Sequence, residues 1–162
     1  MEEIKIKDVQ IKKLKYIPDD RGFLMEMLRD DDPLFKGFGQ VYITGAKKGA
    51  AKAWHYHKGQ IDNFVCVEGK ALVVLVDFRK DSPTYKISQE FIMEAPGIAK
   101  EPYLLQIPKF VLHGFTAFDC DFTKIVNIPS AHYNYDDPDE FRYPWNSPEV
   151  PYTWPKEVKF GG

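Results

Sequence analysis

Two histidines stand one residue apart in Ala53-Trp-His55-Tyr-His57-Lys-Gly-Gln60-Ile-Asp62, and a carboxylate closes the stretch. Imidazole changes charge near neutral pH, so such a pair can move protons, and in its neutral form it can ligate a metal. In an extended chain residues i and i+2 point the same way. His55 and His57 would then face one volume, with Trp54 and Tyr56 on the other side. A third histidine, His113, follows in Ile107-Pro-Lys-Phe-Val-Leu-His113-Gly. Three imidazoles and Asp62 could hold Fe, Mn, Zn or Ni through nitrogen and oxygen, provided the imidazoles are neutral and Asp62 is deprotonated. A neutral imidazole beside a carboxylate is also a base with its orienting group. The plainest reading is a polar hydrogen-bond network in a barrel mouth. On the residues alone all three stay open.

The elements that must position these groups are strands. Period-2 alternation or unbroken apolar runs, bounded by Gly, Pro and Asp turns, predict strands over residues 9–17, 23–28, 40–44, 50–57, 63–67, 71–78, 90–94, 103–107 and 122–128. Glu68-Gly69-Lys70 reads as a hairpin turn. Ala71-Leu-Val-Val-Leu-Val76 is apolar throughout, as for a strand buried on both faces. No stretch keeps helical spacing for long. Short strands between turns point to an all-β sandwich or barrel. From residue 129 the composition shifts to Pro, Tyr, Trp and Asp, an irregular arm held on the barrel by its rings. The chain reads as one domain, 1–162, with 129–162 as that arm.

Bulk properties narrow the function. A net charge of −2 leaves no electrostatic footprint for nucleic acid or anionic membrane. No apolar run approaches membrane-spanning length, and the charged opening MEEIKIKDVQIKK is unlike a signal peptide. Cys66 sits in an apolar run and Cys120 has no nearby cysteine, so a buried thiol and a reducing, cytoplasmic setting are expected. The aromatic share of 15% suits strands and pockets that stack flat ligands.

The spacing Gly49-x5-His55-x-His57-x4-Asp62-x6-Gly69 resembles the first cupin motif, with Asp in place of Glu, and the Pro108 to His113 segment resembles part of the second. This implies a double-stranded β-helix jelly roll. Across most of the chain the order of motifs is similar to the dTDP-4-dehydrorhamnose 3,5-epimerase family, which are cupins without a metal. Asp20-Arg21-Gly22-Phe23 with Glu26 resembles the early D-x-R-G…E segment. Lys52-Ala-Trp-His55-Tyr stands for R-G-L-H-Y-Q. Val76-Asp-Phe-Arg79 with Ser82-Pro-Thr follows V-D-x-R…S-P-T, and Trp145-Asn-Ser-Pro…Trp154-Pro resembles the closing W-N-D-P…W-P.

The resemblance implies proton abstraction beside the keto group of a nucleotide-linked 4-keto sugar, without a cofactor, in a homodimer formed by strand pairing. It makes His55 the base. It assigns Arg21, Glu26, Gln40, Lys52, Gln60, His113 and Tyr133 to the substrate, and Tyr135 to proton donation or to stacking on the nucleobase. The chain also departs from the pattern. The hallmark Arg is Lys52, an Asn is Tyr42, a Gln is His57, and a pocket Lys falls near Asp62. The acid Tyr is missing from Lys124-Ile-Val-Asn-Ile-Pro129, and no Asp follows Trp154-Pro155 to orient the base. His57 or Asp62 is expected to take over that orienting role. The alternatives are a 3,4-ketoisomerase, whose H-x-H pair resembles His55-Tyr-His57; a metal cupin using His55, His57, Asp62 and His113 around a divalent transition metal; and a non-catalytic binder of sugar nucleotides.

Overall fold

The computed structural model describes residues 3–162, so Met1 and Glu2 of the charged opening stretch lie outside it. Among the described residues the regular structure is all strand, and no helix is long and apolar enough to cross a membrane. One sheet runs β1 (Gln10–Lys13), β9 (Tyr103–Ile107), β6 (Asp62–Glu68), β11 (Phe122–Asn127), β4 (Tyr42–Lys47). The facing sheet runs β12 (Phe141–Arg142), β5 (Ala50–Tyr56), β10 (Val111–Ala117), β7 (Lys70–Asp77), β8 (Ser88–Glu94), and β13 (Phe160–Gly161) adds to β5. β2 (Tyr16–Asp19) and β3 (Gly22–Met25) form a separate hairpin. From β4 to β7, and again from β9 to β11, the chain changes sheet at every turn. That is the jelly-roll path of a cupin.

The apolar patterning accounts for the layers. Val73 and Leu75 of β7 enter the core between the sheets, with Leu105, Phe115 and Ile125. Leu72, Val74 and Val76 point outward, where the arm covers them with Val150, Trp154 and Val158. β7 is therefore buried on both faces, which explains its unbroken apolar run. Trp54 and Trp154 anchor the arm at 4.9 Å between ring centroids. On the outer face of the other sheet, Leu14, Val65 and Leu104 are covered by Met25, Met27 and Leu34.

Two sequence expectations fail here. Glu68-Gly69-Lys70 is a corner between sheets and not a hairpin, because β6 and β7 each need the opposite layer to bury their inward residues. Gly69 is required there: its φ is +66°, and a Cβ would lie 2.4 Å from the Phe122 carbonyl. The strand expected over residues 9–17 is also two. β1 ends at Lys13, and the chain then leaves the sheet to build the β2–β3 hairpin. Both cysteines are free, and Cys66 is buried.

Candidate active site

Inward residues of the two facing sheets line a cavity of about 690 Å³. Gln40 and, on β4, Tyr42 and Thr44 form one wall; Lys52 and His55 of β5, with His57 just beyond it, form the other. His113, Gly114 and Phe115 of β10 close the floor beside Phe64 and Gln60, and Tyr133, Tyr135, Glu140 and Arg142 of the arm make the rim. A bulge sets the aim of β5. His113 pairs with His55 while Gly114 pairs with Ala53, so Trp54 is the extra residue. Ala53 and Trp54 both face the arm, leaving Lys52 and His55 together in the cavity. Gly114 is the partner that permits this, since a Cβ there would sit 2.3 Å from the Ala53 Cβ.

His55, expected from sequence to be the base, borders the cavity, but its partner is not the expected one. His55 Nδ1 lies 2.9 Å from Glu140 Oε1, and Arg142 holds the same oxygen at 2.8 Å. Neither His57 nor Asp62 orients His55. Glu140 reaches it because β12 pairs with β5, bringing Arg142 opposite His55. Burial lowers the His55 pKa below the ordinary histidine value, with Glu140 opposing only in part. The shift favours the neutral imidazole, the form able to accept a proton.

Asp62 serves the other two imidazoles. It is buried, its Oδ1 accepting from Gln60 Nε2 and Asn127 Nδ2, each at 2.8 Å. Its Oδ2 lies 3.3 Å from His57 Nε2 and 3.4 Å from His113 Nε2. Burial would raise the Asp62 pKa, but the His57 contact, the nearby His113 and Asn127 outweigh it and bring it down to about 2. Burial opposes charge on His57 as well, yet Asp62 and the Asp139 carbonyl hold its pKa above the ordinary value. At His113 burial prevails, and the pKa falls to about 4. Of the four candidate metal ligands, His57, Asp62 and His113 converge, each offering an atom within 4.8 Å of the others. His55 is turned to Glu140 instead.

The remaining expected residues divide into two groups. Gln40, Lys52, Gln60, His113, Tyr133 and Tyr135 all border the cavity. Gln40 Oε1 accepts from the Tyr133 backbone N–H at 3.2 Å, and Lys52 Nζ donates to Thr44 Oγ1 at 2.9 Å. Tyr135 is 88% exposed at the rim, packed edge-on against Tyr133. Arg21 and Glu26 stay outside this cavity. Arg21 caps the β2–β3 turn on Asp19 at 2.7 Å, and Glu26 meets Arg29 at 3.2 Å.

Sequence reasoning passed over Tyr42, Asn127 and Glu140 as site residues. The Tyr42 hydroxyl accepts from Asn127 Nδ2 at 2.8 Å, leaving its own proton free for the cavity. Burial, then the charge of Asp62, pushes its pKa to about 12, so it keeps that proton. Alternation from Gln40 through Tyr42 could have revealed it. Nothing local could have revealed Glu140, which is 85 residues from His55.

The family model for dTDP-4-dehydrorhamnose 3,5-epimerase matches residues 3–160. The chain is 38% identical over 154 residues to the spore coat polysaccharide biosynthesis protein SpsL of Bacillus subtilis, covering 95% of this chain and 99% of that protein. It is 34% identical to the probable low-salt glycan biosynthesis epimerase Agl13 of Haloferax volcanii, covering 94% and 97%. The crystal structure of a dTDP sugar isomerase from Desulfovibrio desulfuricans G20 superimposes with a TM-score of 0.86 at 28% identity, covering 95% of each chain. This cupin barrel, matched over nearly its whole length, belongs to the dTDP-4-dehydrorhamnose 3,5-epimerase family of sugar isomerases.

Proposed function

We propose that the protein is a nucleotide-sugar epimerase acting on a 4-keto-6-deoxyhexose, in the synthesis of polysaccharide or deoxysugar precursors. The observation that carries this reading is that His55 and Tyr42 come from the two facing sheets and border one cavity. A keto group acidifies the hydrogens on its neighbouring carbons. A base on one face removes such a proton to give an enolate, and an acid on the other face returns it with inverted configuration. His55, neutral and oriented by Glu140, is the base. Tyr42 is the acid, with its proton free and its oxygen anchored by Asn127. Lys52 and Arg142 supply positive charge for the diphosphate. Gln40 and Gln60 hydrogen-bond the sugar, and the exposed Tyr133–Tyr135 pair offers ring faces to the nucleobase. Removing and returning a proton at such a carbon requires no redox cofactor.

The chain is read as one domain with residues 129–162 as its arm, on the support of the Trp54–Trp154 packing. Homodimer formation is supported by the β2–β3 hairpin, whose Phe23 and Leu24 are 54% and 58% exposed. Such a dimer would also offer Arg21 and Glu26 a second cavity to face. A cytoplasmic location fits the two free cysteines.

The test is proton NMR with dTDP-4-keto-6-deoxyglucose in deuterium oxide. Loss of the C3 or C5 proton signals is expected and identifies the carbons attacked, whereas migration of the keto group would indicate a 3,4-ketoisomerase. His55→Asn should slow exchange by about 10²–10⁴-fold with the fold intact, and Glu140→Gln by about tenfold or more through loss of orientation. Full exchange in His55→Asn would remove His55 as the base.

A further inference from the structure

Around Asp62 two imidazole nitrogens are aimed at one carboxylate oxygen. His57 Nδ1 meets the Asp139 backbone carbonyl, and His113 Nδ1 meets the Val111 carbonyl at 3.1 Å. A carbonyl can only accept, so both Nδ1 atoms must carry the hydrogen. In a neutral imidazole the other nitrogen is then a lone pair. His113 Nε2 turns its lone pair to Asp62 Oδ2 at 3.4 Å, and His57 Nε2, 3.3 Å from the same oxygen, does so in its neutral form. With His57 neutral, as a metal ligand must be, three acceptors converge on one small volume. The other carboxylate oxygen is already occupied by the amides of Gln60 and Asn127.

We propose that His57, Asp62 and His113 form a binding site for a divalent transition-metal ion, ligated by the two Nε2 atoms and Oδ2. The distances fit. A triangle with sides of 3.3 and 3.4 Å, and a third no longer than 4.8 Å, has a centre within about 2.4 Å of each corner, close to the about 2.0–2.2 Å of metal bonds to imidazole and carboxylate. The surroundings fit as well. Ligating histidines characteristically donate their other N–H to a carbonyl or carboxylate, and ligating carboxylates are themselves hydrogen-bonded. All three residues meet that description. Two imidazoles and one carboxylate on one side of an ion leave coordination positions open. His57 and His113 border the cavity, so an oxygen of a bound ligand, such as a keto oxygen, can fill one of them. The inference goes beyond the epimerase reading and needs no sugar to test.

The experiment uses the full chain without a histidine tag. Elemental analysis of the protein purified without chelator should find close to one transition-metal ion per chain. After stripping, titration with Co²⁺ should give visible d–d absorption and a rise in thermal midpoint, both saturating at one equivalent. His57→Gln and Asp62→Asn should weaken Co²⁺ binding by at least about tenfold, while His132→Gln, on the exposed arm, should leave it unchanged. If folded, stripped wild-type protein shows neither the bands nor the shift, the three groups are a hydrogen-bond cluster and the inference is wrong. It is equally overturned if His57→Gln binds Co²⁺ as wild type does. Neither result bears on proton exchange at His55, which the NMR experiment measures separately.

Discussion

Asp62 and Asp77 are both fully buried carboxylates at strand ends, and their surroundings are opposite in polarity. Asp77 is surrounded by donors. Its Oδ1 accepts from the backbone and Nε of Arg79 at 3.0 and 2.8 Å, and its Oδ2 accepts from Arg79, Ser82 and Thr84 at 2.6–2.8 Å. Arg79 then ties the knot to Asp8 at 2.8 Å. Asp62 has amide donors on one oxygen and two imidazole nitrogens on the other. The difference separates scaffold from site. The Asp77 knot is electrostatically complete and holds the turn after β7, whereas Asp62 meets imidazoles, which offset its charge only when they carry a second proton.

Substitution by asparagine should break that comparison in opposite directions. The largest effect is expected for Asp77→Asn, which would turn an amide donor toward Arg79, Ser82 and Thr84. It should cost about 3 kcal/mol in urea unfolding, as expected when a buried pair loses one partner. A cost below about 1 kcal/mol would mean that the knot is not structural.

Acid should resolve the two regions by pH window. The His113 pKa falls from 6.5 unfolded to about 4 folded, so the unfolded chain binds more protons between those values. Its contribution to stability is full above pH 6.5 and is lost as pH falls toward 4. The raised His57 pKa works the other way, favouring the folded state below its folded value. The Asp77 pKa is depressed by Arg79, Ser82 and Thr84, so its contribution persists until pH drops below the ordinary carboxylate value of 3.8. In chelator, wild type should lose on the order of 2 kcal/mol between pH 6.5 and 4, and His113→Gln should flatten that slope.

The smallest effect is the most pointed. In metal-stripped protein at alkaline pH, where His57 is neutral, Asp62→Asn should change stability by less than about 1 kcal/mol, or raise it. Its amide can donate to an imidazole lone pair while its oxygen keeps Gln60 and Asn127. A loss as large as that of Asp77→Asn would show that the Asp62 cluster is satisfied as it stands.

The same contrast governs what sequence alone reveals. The strands with alternation or long apolar runs are legible, since each residue's face is fixed by its neighbours two away. β10 has neither signal: Val111 to Ala117 are all buried, so its polar His113 and Thr116 mark no solvent face. The Asp77 knot is legible because Arg79, Ser82 and Thr84 lie within seven residues of it. The histidine pair and Asp62 are legible for the same reason. The sequence could not say which imidazole meets which carboxylate. That depends on a bulge at Trp54 and on an arm that returns from far along the chain.

That returning arm also sets the timing of assembly. Asp139 touches the His57 ring and accepts from the backbone N–H groups of Lys58, Gly59 and Gln60, while Glu140 touches the His55 ring. Contacts spanning more than 75 residues close late, after local pairing has bounded the search. On a ribosome, the last barrel strand, β11, is complete at Asn127. The two histidines stay undressed until residues 139 and 140 have followed it out. A nascent chain can therefore hold its barrel before it holds its chemistry.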